Sequence, residues 1–270
     1  MAGLQDYADR VAVVTGASSG IGAEMAVQLA KKGMRVALVA RRQDRLEALA
    51  ERIRGLGGTA SVHPCDVARR DSVESCVSDV EKTWGRLDLL VNAAGYVTHI
   101  LFKDQSLDDI ERMTRTNYLG LVYWIKLTLP LLRARGAGWI VNFSSFAGLV
   151  SQPDEAAYTA SKFAVTGLSE AIACEFEPIG IHVMCVYPVL VDTEMFTPEV
   201  LARMPGETRK RFMSADKFVA ETLKALERGE HHLVLPRSYR GVSVLKSLFP
   251  KLMTRKIAAV RLKDLKDVTS

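Results

Sequence analysis

The sequence predicts an α/β fold, a doubly wound parallel sheet of about seven strands with helices on both faces. Three observations lead there. Short apolar runs alternate with longer runs of helical periodicity along most of the chain. The apolar runs are unbroken, as expected of strands buried on both sides. A glycine-rich stretch, TGASSGIG at 15–22, joins the first apolar run to the first helical one, the place where such folds bind ligands beyond their strand ends.

The elements follow in order. RVAVVTG reads as the first buried strand, and GIGAEMAVQLAKKG as a helix that stops at Gly33. MRVALVA is the second strand. Leu46, Leu49, Ala50 and Ile53 recur at helical spacing in RLEALAERIRGLG. ASVHPCDV is the third strand, and SVESCVSDVEKTWG sets Val73, Val77, Val80 and Trp84 on one helix face. LDLLVNAAG is the fourth strand. A long helical stretch then runs from about Leu107 to Arg135, with a break or bend inside it. GWIVNFSS is the fifth strand, a helix containing Tyr158 and Lys162 reaches about Glu177, and IHVMCVYP is the sixth strand. ADKFVAETLKALERG is a further helix and HHLVLP the seventh strand. There are no repeats and no linker pointing to a second core.

Composition narrows the function. At 270 residues, 48% hydrophobic and 25% charged, the chain can bury a full core without staples. Cys65, Cys76, Cys174 and Cys185 form no CxxC pair, which argues for a reducing compartment and against a disulfide framework or zinc site. The five histidines show no metal-ligand spacing, so no metal is expected. The first ten residues lack a signal pattern and no apolar run reaches the roughly 20 residues of a membrane span, so the expectation is a soluble cytoplasmic protein. The net charge of +5 is uneven: from Arg237 onward nine Lys/Arg face only Asp264 and Asp267. The preceding body carries a net −2, which gives a nucleic-acid role no support.

Tyr158 and Lys162 stand at i, i+4 in AYTASKFAV and so share a helix face. A cation there would favour phenolate and ready the tyrosine for proton transfer. Alone, the pair reads equally as a tyrosine with a snorkelling lysine at a helix edge. In TGASSGIG the glycines permit a tight turn and close approach of a pyrophosphate to a helix N-terminus, or simply a tight βα turn.

Together the motifs resemble the short-chain dehydrogenase/reductase family over roughly residues 8–236. Thr15, Gly16, Gly20 and Gly22 match its TGxxxGxG loop, and Asn92, Ala93, Ala94 and Gly95 its NAAG motif. Tyr158 and Lys162 match YxxxK, Ser145 stands at the family's catalytic serine position, and Asn117 at its fourth catalytic position. The resemblance implies one Rossmann-type dinucleotide-binding and catalytic domain over 1–236, with a substrate lid at about 194–214, followed by a basic amphipathic extension over 237–270. It implies that Tyr158 is the acid in carbonyl reduction and the base in alcohol oxidation. Lys162 would hold the nicotinamide ribose and lower the tyrosine pKa. Ser145 would hydrogen-bond the substrate oxygen, and Asn117 would order a water linking Lys162 to solvent. Ser144 is the alternative serine, and Asn117 the alternative of a mere helix-kink residue.

For the cofactor, the resemblance assigns Thr15, Gly16, Ser18, Ser19, Gly20, Ile21 and Gly22 to the phosphate loop. It adds Asp66 and Val67 after the third strand, Asn92, Ala93 and Gly95 after the fourth, and Pro188, Val191 and Thr193 after the sixth, with Tyr158 and Lys162. NAD-binding members carry an acid at the end of the second strand; here Ala40 is followed by Arg41 and Arg42. Guanidinium groups bind a 2′-phosphate where a carboxylate would repel it. NADP(H) is therefore expected, with Arg41 as the main contact and Ser18 and Arg42 helping. Val189 departs from the family's usual glycine after Pro188 and restricts that backbone.

Met195, Phe196, Leu201, Met204, Phe212 and Met213 give the lid a soft apolar composition suited to a bulky or lipophilic carbonyl compound; equally, they pack the lid down. The tail interleaves Leu245, Leu248, Phe249, Leu252, Ile257 and Val260 with basic residues, and Pro250 should interrupt its helix. It reads either as a helical extension packed on the lid or a neighbouring subunit, or as a segment for an anionic membrane surface. The helical stretches 107–135 and 157–177 resemble the family's subunit-pairing helices, so a homodimer or homotetramer is expected. The expected function is NADPH-dependent reduction of a ketone or aldehyde. The alternatives are an alcohol or hydroxysteroid dehydrogenase running oxidatively, and a dinucleotide-binding sensor or scaffold without turnover.

Overall fold

The computed structural model describes residues 3–204 and 206–261. Seven parallel strands form one sheet in the order β3-β2-β1-β4-β5-β6-β9. These are β1 (Val11–Thr15), β2 (Arg35–Ala40), β3 (Thr59–Pro64), β4 (Leu89–Asn92), β5 (Gly138–Phe143), β6 (Ile181–Pro188) and β9 (His232–Leu235). The missing numbers are the two-residue strands β7 (Val191–Asp192) and β8 (Met213–Ser214), which pair separately. The order reverses between β1 and β4, so the carboxyl ends of these strands border the crevice used by doubly wound sheets.

The helices divide between the two faces because strand side chains alternate. Ala12 and Val14 face one way and meet Met25 and Leu29 of α1 (Gly20–Lys31), Leu46 and Ile53 of α2 (Gln43–Gly55) and the apolar side of the helix before β9. Val11 and Val13 face the other way, toward Val73 and Val77 of α3 (Arg70–Trp84). Each fully buried aliphatic side chain contributes about 1.5–3 kcal/mol, so the unbroken apolar strands seen in the sequence fix both layers.

The long stretch after β4 is three pieces: α4 (Leu107–Thr114), a π-helical turn at Arg115–Leu119 and α5 (Gly120–Arg133). In the π turn the Gly120 amide reaches back to the Arg115 carbonyl, one residue further than an α-helix allows. The expected bend is therefore a π bulge, and it carries Asn117. Beyond β5 come α6 (Ala156–Phe176), the short α7 (Pro198–Arg203) and α8 (Gly206–Arg209), then α9 (Ala215–Glu227). The tail forms α10 (Arg240–Leu248) and α11 (Pro250–Arg261). Pro250 separates them as expected, starting the second helix, where its fixed φ and missing N–H are harmless. The last nine residues of the tail, with Asp264 and Asp267, lie outside the described residues.

Candidate active site

β1 leads into the glycine loop. Gly16 and Gly20 adopt φ of 69° and 54°, left-handed values that a side chain disfavours. A Cβ on Gly16 would stand 2.8 Å from the Ala93 carbonyl oxygen, and one on Gly22 would stand 2.4 Å from the Gly16 carbonyl oxygen. These glycines let the start of α1 and the loop after β4 close on each other. Thr15 fastens them: its hydroxyl accepts from the Ala93 and Ala94 amides at 3.1 and 3.2 Å and donates to the Val91 carbonyl. A Cβ on Gly20 would meet the Thr193 methyl at 3.2 Å, so the segment after β6 closes over the loop.

This cradle fits a dinucleotide. The turn is held open by glycine, α1 presents its N-terminus there, and Ser18 and Ser19 are hydrogen-bonded to a cation. Arg42 donates to the Ser18 hydroxyl at 2.8 Å and to the Ser19 hydroxyl at 2.9 Å. Arg41 is exposed and makes no hydrogen bond or ion pair among the described residues, so Arg42 rather than Arg41 is the guanidinium already on the loop. Glu194 competes for it at 3.8 Å, although its nearer partner is Arg45 at 2.6 Å.

Asp66 accepts from the Ala68 amide at 3.0 Å, and its own amide donates to Ser72. The Val67 carbonyl lies where a Cβ on Gly120 would come within 2.8 Å. The Asn92 amide nitrogen donates to Asn142, whose own amide donates to Ser169 on α6. Asn92 is thus a brace between β4, β5 and α6, with its Oδ1 buried and unbonded.

Four side chains converge where β5 ends. Ser145 begins a 3-10 turn, accepts from the Ala147 amide at 3.1 Å and is the polar side chain that eases ionisation of the Tyr158 phenol. The adjacent Ser144 instead donates to the Lys162 carbonyl at 2.9 Å and pairs with Thr166. Its hydroxyl is thus turned into α6. Tyr158 is buried, and burial pushes its phenol above the ordinary value; the Ser145 hydroxyl opposes this and the nearby Glu155 charge adds to it. Lys162 is buried too, and desolvation brings it down to about 8. Its Nζ donates to the Phe143 carbonyl at 2.8 Å and stands 5.6 Å from the Tyr158 ring centre. The expected depression of the phenol by this lysine is therefore not the prevailing influence. The ammonium lies over the ring, and burial dominates.

Asn117 closes the group. Its Oδ1 accepts from the Tyr96 amide at 3.0 Å, while its Nδ2 donates to the Tyr96 carbonyl and to Ser161. A Cβ on Gly95 would fall 3.2 Å from Asn117 Oδ1 and 3.5 Å from Lys162 Nζ. The asparagine side chain clasps the loop after β4, beside the lysine.

A second grouping escaped the sequence reading, which found no metal spacing. His99 Nδ1 lies 3.2 Å from Glu155 and 3.8 Å from Asp154, and the three offer ligand atoms within 4.8 Å of one another. Only the fold joins residue 99 to 154 and 155. The Cys65 thiol likewise meets Ser72, donating to its carbonyl and accepting from its hydroxyl at 3.6 Å.

On the outer side, Val189, Leu190, Arg211, Pro236, Ser238, Tyr239 and Val242 line a cavity of about 450 Å³. Tyr239 packs edge-on against Phe146 at 5.4 Å, linking this cavity to the turn that starts at Ser145. Val189 is accommodated there: its amide donates to the Leu235 carbonyl at 3.1 Å and its side chain packs near Tyr239. Phe196 and Phe212 of the 194–214 segment meet edge-on at 4.9 Å. Among the described residues no helix is long and apolar enough to cross a membrane.

A family model described as short chain dehydrogenase matches residues 10–203. The chain is 32% identical over 252 residues to 11-beta-hydroxysteroid dehydrogenase-like 3 of Arabidopsis thaliana, covering 93% of this chain and 81% of that one. It is 33% identical over 251 residues to a fatty acyl-CoA reductase of Mycobacterium tuberculosis, covering 91% and 83%. Its fold is similar to a short chain dehydrogenase/reductase from Burkholderia phymatum in complex with NAD, with a TM-score of 0.83 and 23% identity over 92% of this chain and 96% of that one.

Proposed function

The chain belongs to the short chain dehydrogenase family and is an oxidoreductase using a nicotinamide dinucleotide; from that premise we propose that it reduces a lipophilic ketone or aldehyde with NADPH. The observation that carries this reading is the buried Tyr158 phenol with Ser145 and Lys162, the lysine set against the loop after β4 that closes on the glycine turn. Burial keeps that phenol protonated at neutral pH, the state a proton donor needs.

The bound dinucleotide would supply a hydride to the carbonyl carbon. Tyr158 transfers its phenolic proton to the carbonyl oxygen, which completes the alcohol. Ser145 donates a hydrogen bond to the same oxygen as charge develops. Lys162 and Tyr158 hold the ribose next to the nicotinamide, and the lysine's positive charge steadies the phenolate left behind. Asn117 fixes the backbone beside Lys162. Thr15, Gly16, Ser18, Ser19, Gly20, Ile21 and Gly22 receive the phosphates, with Asp66, Val67, Asn92, Ala93, Gly95, Pro188, Val191 and Thr193 along the rest of the cofactor. Residues 1–236 act as one catalytic unit with 194–214 as its lid. Assembly through α5 and α6 into a dimer or tetramer, and a cytoplasmic site of action, belong to the same reading.

The lipophilic substrate class rests on the apolar walls of the outer cavity and on two relatives whose names specify a hydroxysteroid and a fatty acyl thioester. NADPH consumption should be followed with matched series of short polar ketones, long-chain ketones and aldehydes, and steroid ketones. A kcat/KM that climbs with apolar chain length supports the proposal. A preference for the short polar compounds defeats it.

Glu155 acts as a positioning residue for the proton. Buried one turn before Tyr158, its charge opposes phenolate. In alcohol oxidation Tyr158 must be deprotonated, so activity rises with pH through the phenol's ionisation. Glu155→Gln removes the opposing charge, and the rising limb should move to lower pH with the plateau little changed. A purely structural role would lower the plateau and leave the limb in place.

A further inference from the structure

We propose that the outward face of α10 and α11 docks on an anionic lipid bilayer, setting the apolar cavity beside it against the membrane surface. The proposal goes beyond the chemistry above, and vesicle binding rather than turnover decides it.

Val244, Leu245, Leu248, Phe249 and Leu252 are between 49% and 65% exposed. Spacing puts Val244, Leu245 and Leu248 on one side of α10, and Phe249 and Leu252 continue the exposed apolar run across the break into α11. The other side of α10 is engaged with the body. Lys246 donates to the Leu149 carbonyl at 2.6 Å and lies over the Phe163 ring, while Tyr239 packs on Phe146. The apolar row is thus held in place near the Ser145 turn. It is flanked by exposed Lys251, Arg255 and Lys256, and no acidic residue occurs anywhere between His231 and Lys263.

That combination selects the occupant. Short amphipathic helices lie in the interfacial plane, apolar side chains sunk among acyl chains and cations at the headgroups. A second copy of this chain is the weaker fit, because a two-fold contact on this face would set the same cations against one another. The cavity lined by Val189, Leu190, Tyr239 and Val242 adjoins α10, so docking would let an apolar substrate pass from the bilayer without crossing water.

The experiment is co-sedimentation of the full chain with vesicles of phosphatidylcholine containing phosphatidylserine, and with phosphatidylcholine alone. Binding to the mixed vesicles only, released by salt, is the expected result. Lys251→Gln with Arg255→Gln and Lys256→Gln should weaken partitioning by roughly 100-fold, and Leu248→Ser with Phe249→Ser should weaken it too. Both variants should keep their turnover of a short water-soluble ketone. Absence of sedimentation, or equal partitioning of the triple variant and the parent, overturns the proposal. So does a dimer, found by sedimentation equilibrium without lipid, that the Leu248→Ser, Phe249→Ser variant dissociates.

Discussion

Tyr158→Phe is expected to lower kcat for carbonyl reduction by roughly a thousandfold, within the usual worth of a positioned general acid, while NADPH still binds within a few-fold of the parent. The substitution removes one oxygen and little else. Phenylalanine refills the pocket formed with Met113, Ala147 and Ala157, so the packing survives. Losing the polar interaction with Ser145 costs no more than about 1 kcal/mol of stability, too little to unfold the chain. The hydride can still be delivered, but the developing alkoxide then has no acid at hand. Tyr158 is buried, and water is a poor substitute there. Turnover by NADPH absorbance and binding by cofactor fluorescence are to be read on the same preparations. The combination separates an enzyme from a dinucleotide-binding sensor, for which the parent itself would show no turnover. A variant that keeps more than a tenth of the parent's rate removes Tyr158 from the chemistry.

The sheet and its two helical layers were legible because they follow from local pattern. Val11 to Val14 are apolar without interruption, which happens only when both faces are covered. The glycine loop was equally readable, since Gly16 and Gly22 stand where the fold leaves no room for a Cβ. What stayed hidden depends on partners distant in the chain. The segment around Asn117 showed a break but not a π turn, because the Tyr96 backbone that Asn117 grips lies outside any local window. The β7–β8 pair has two residues per strand, too few for periodicity to register. At Tyr158 and Lys162 the shared helix face was read correctly. The direction of the phenol's shift was not, because i, i+4 spacing fixes proximity while burial and the Phe143 carbonyl decide where the ammonium points. The family's serine position favours Ser145 over Ser144, and what the sequence hid is where Ser144 goes: adjacent residues diverge at a strand end, and its hydroxyl turns into α6.

NADPH is expected to bind at least tenfold tighter than NADH, and Arg42→Ala should remove most of that difference. The two cofactors differ by a phosphate on the adenosine ribose, so discrimination must come from charge near the end of β2. Ala40 offers no carboxylate to accept ribose hydroxyls. Arg42 already lies across the Ser18 and Ser19 hydroxyls at 2.8 and 2.9 Å, so a cation and two hydroxyl groups converge there with little reorganisation left to bind. A charge-assisted hydrogen bond of this kind contributes about 1.5–3 kcal/mol, which corresponds to roughly a tenfold to hundredfold loss of NADPH affinity in Arg42→Ala. NADH, lacking the phosphate, should change little. Arg41→Ala should have the smaller effect, because its side chain has no such anchoring. Glu194, 3.8 Å from Arg42, works against an anion, so Glu194→Gln should raise NADPH affinity modestly and leave NADH alone. Fluorescence titrations at low salt keep the electrostatic part unscreened. Equal affinities in the parent refute the preference itself. A preference that survives Arg42→Ala but is lost in Arg41→Ala restores the neighbouring guanidinium as the phosphate contact.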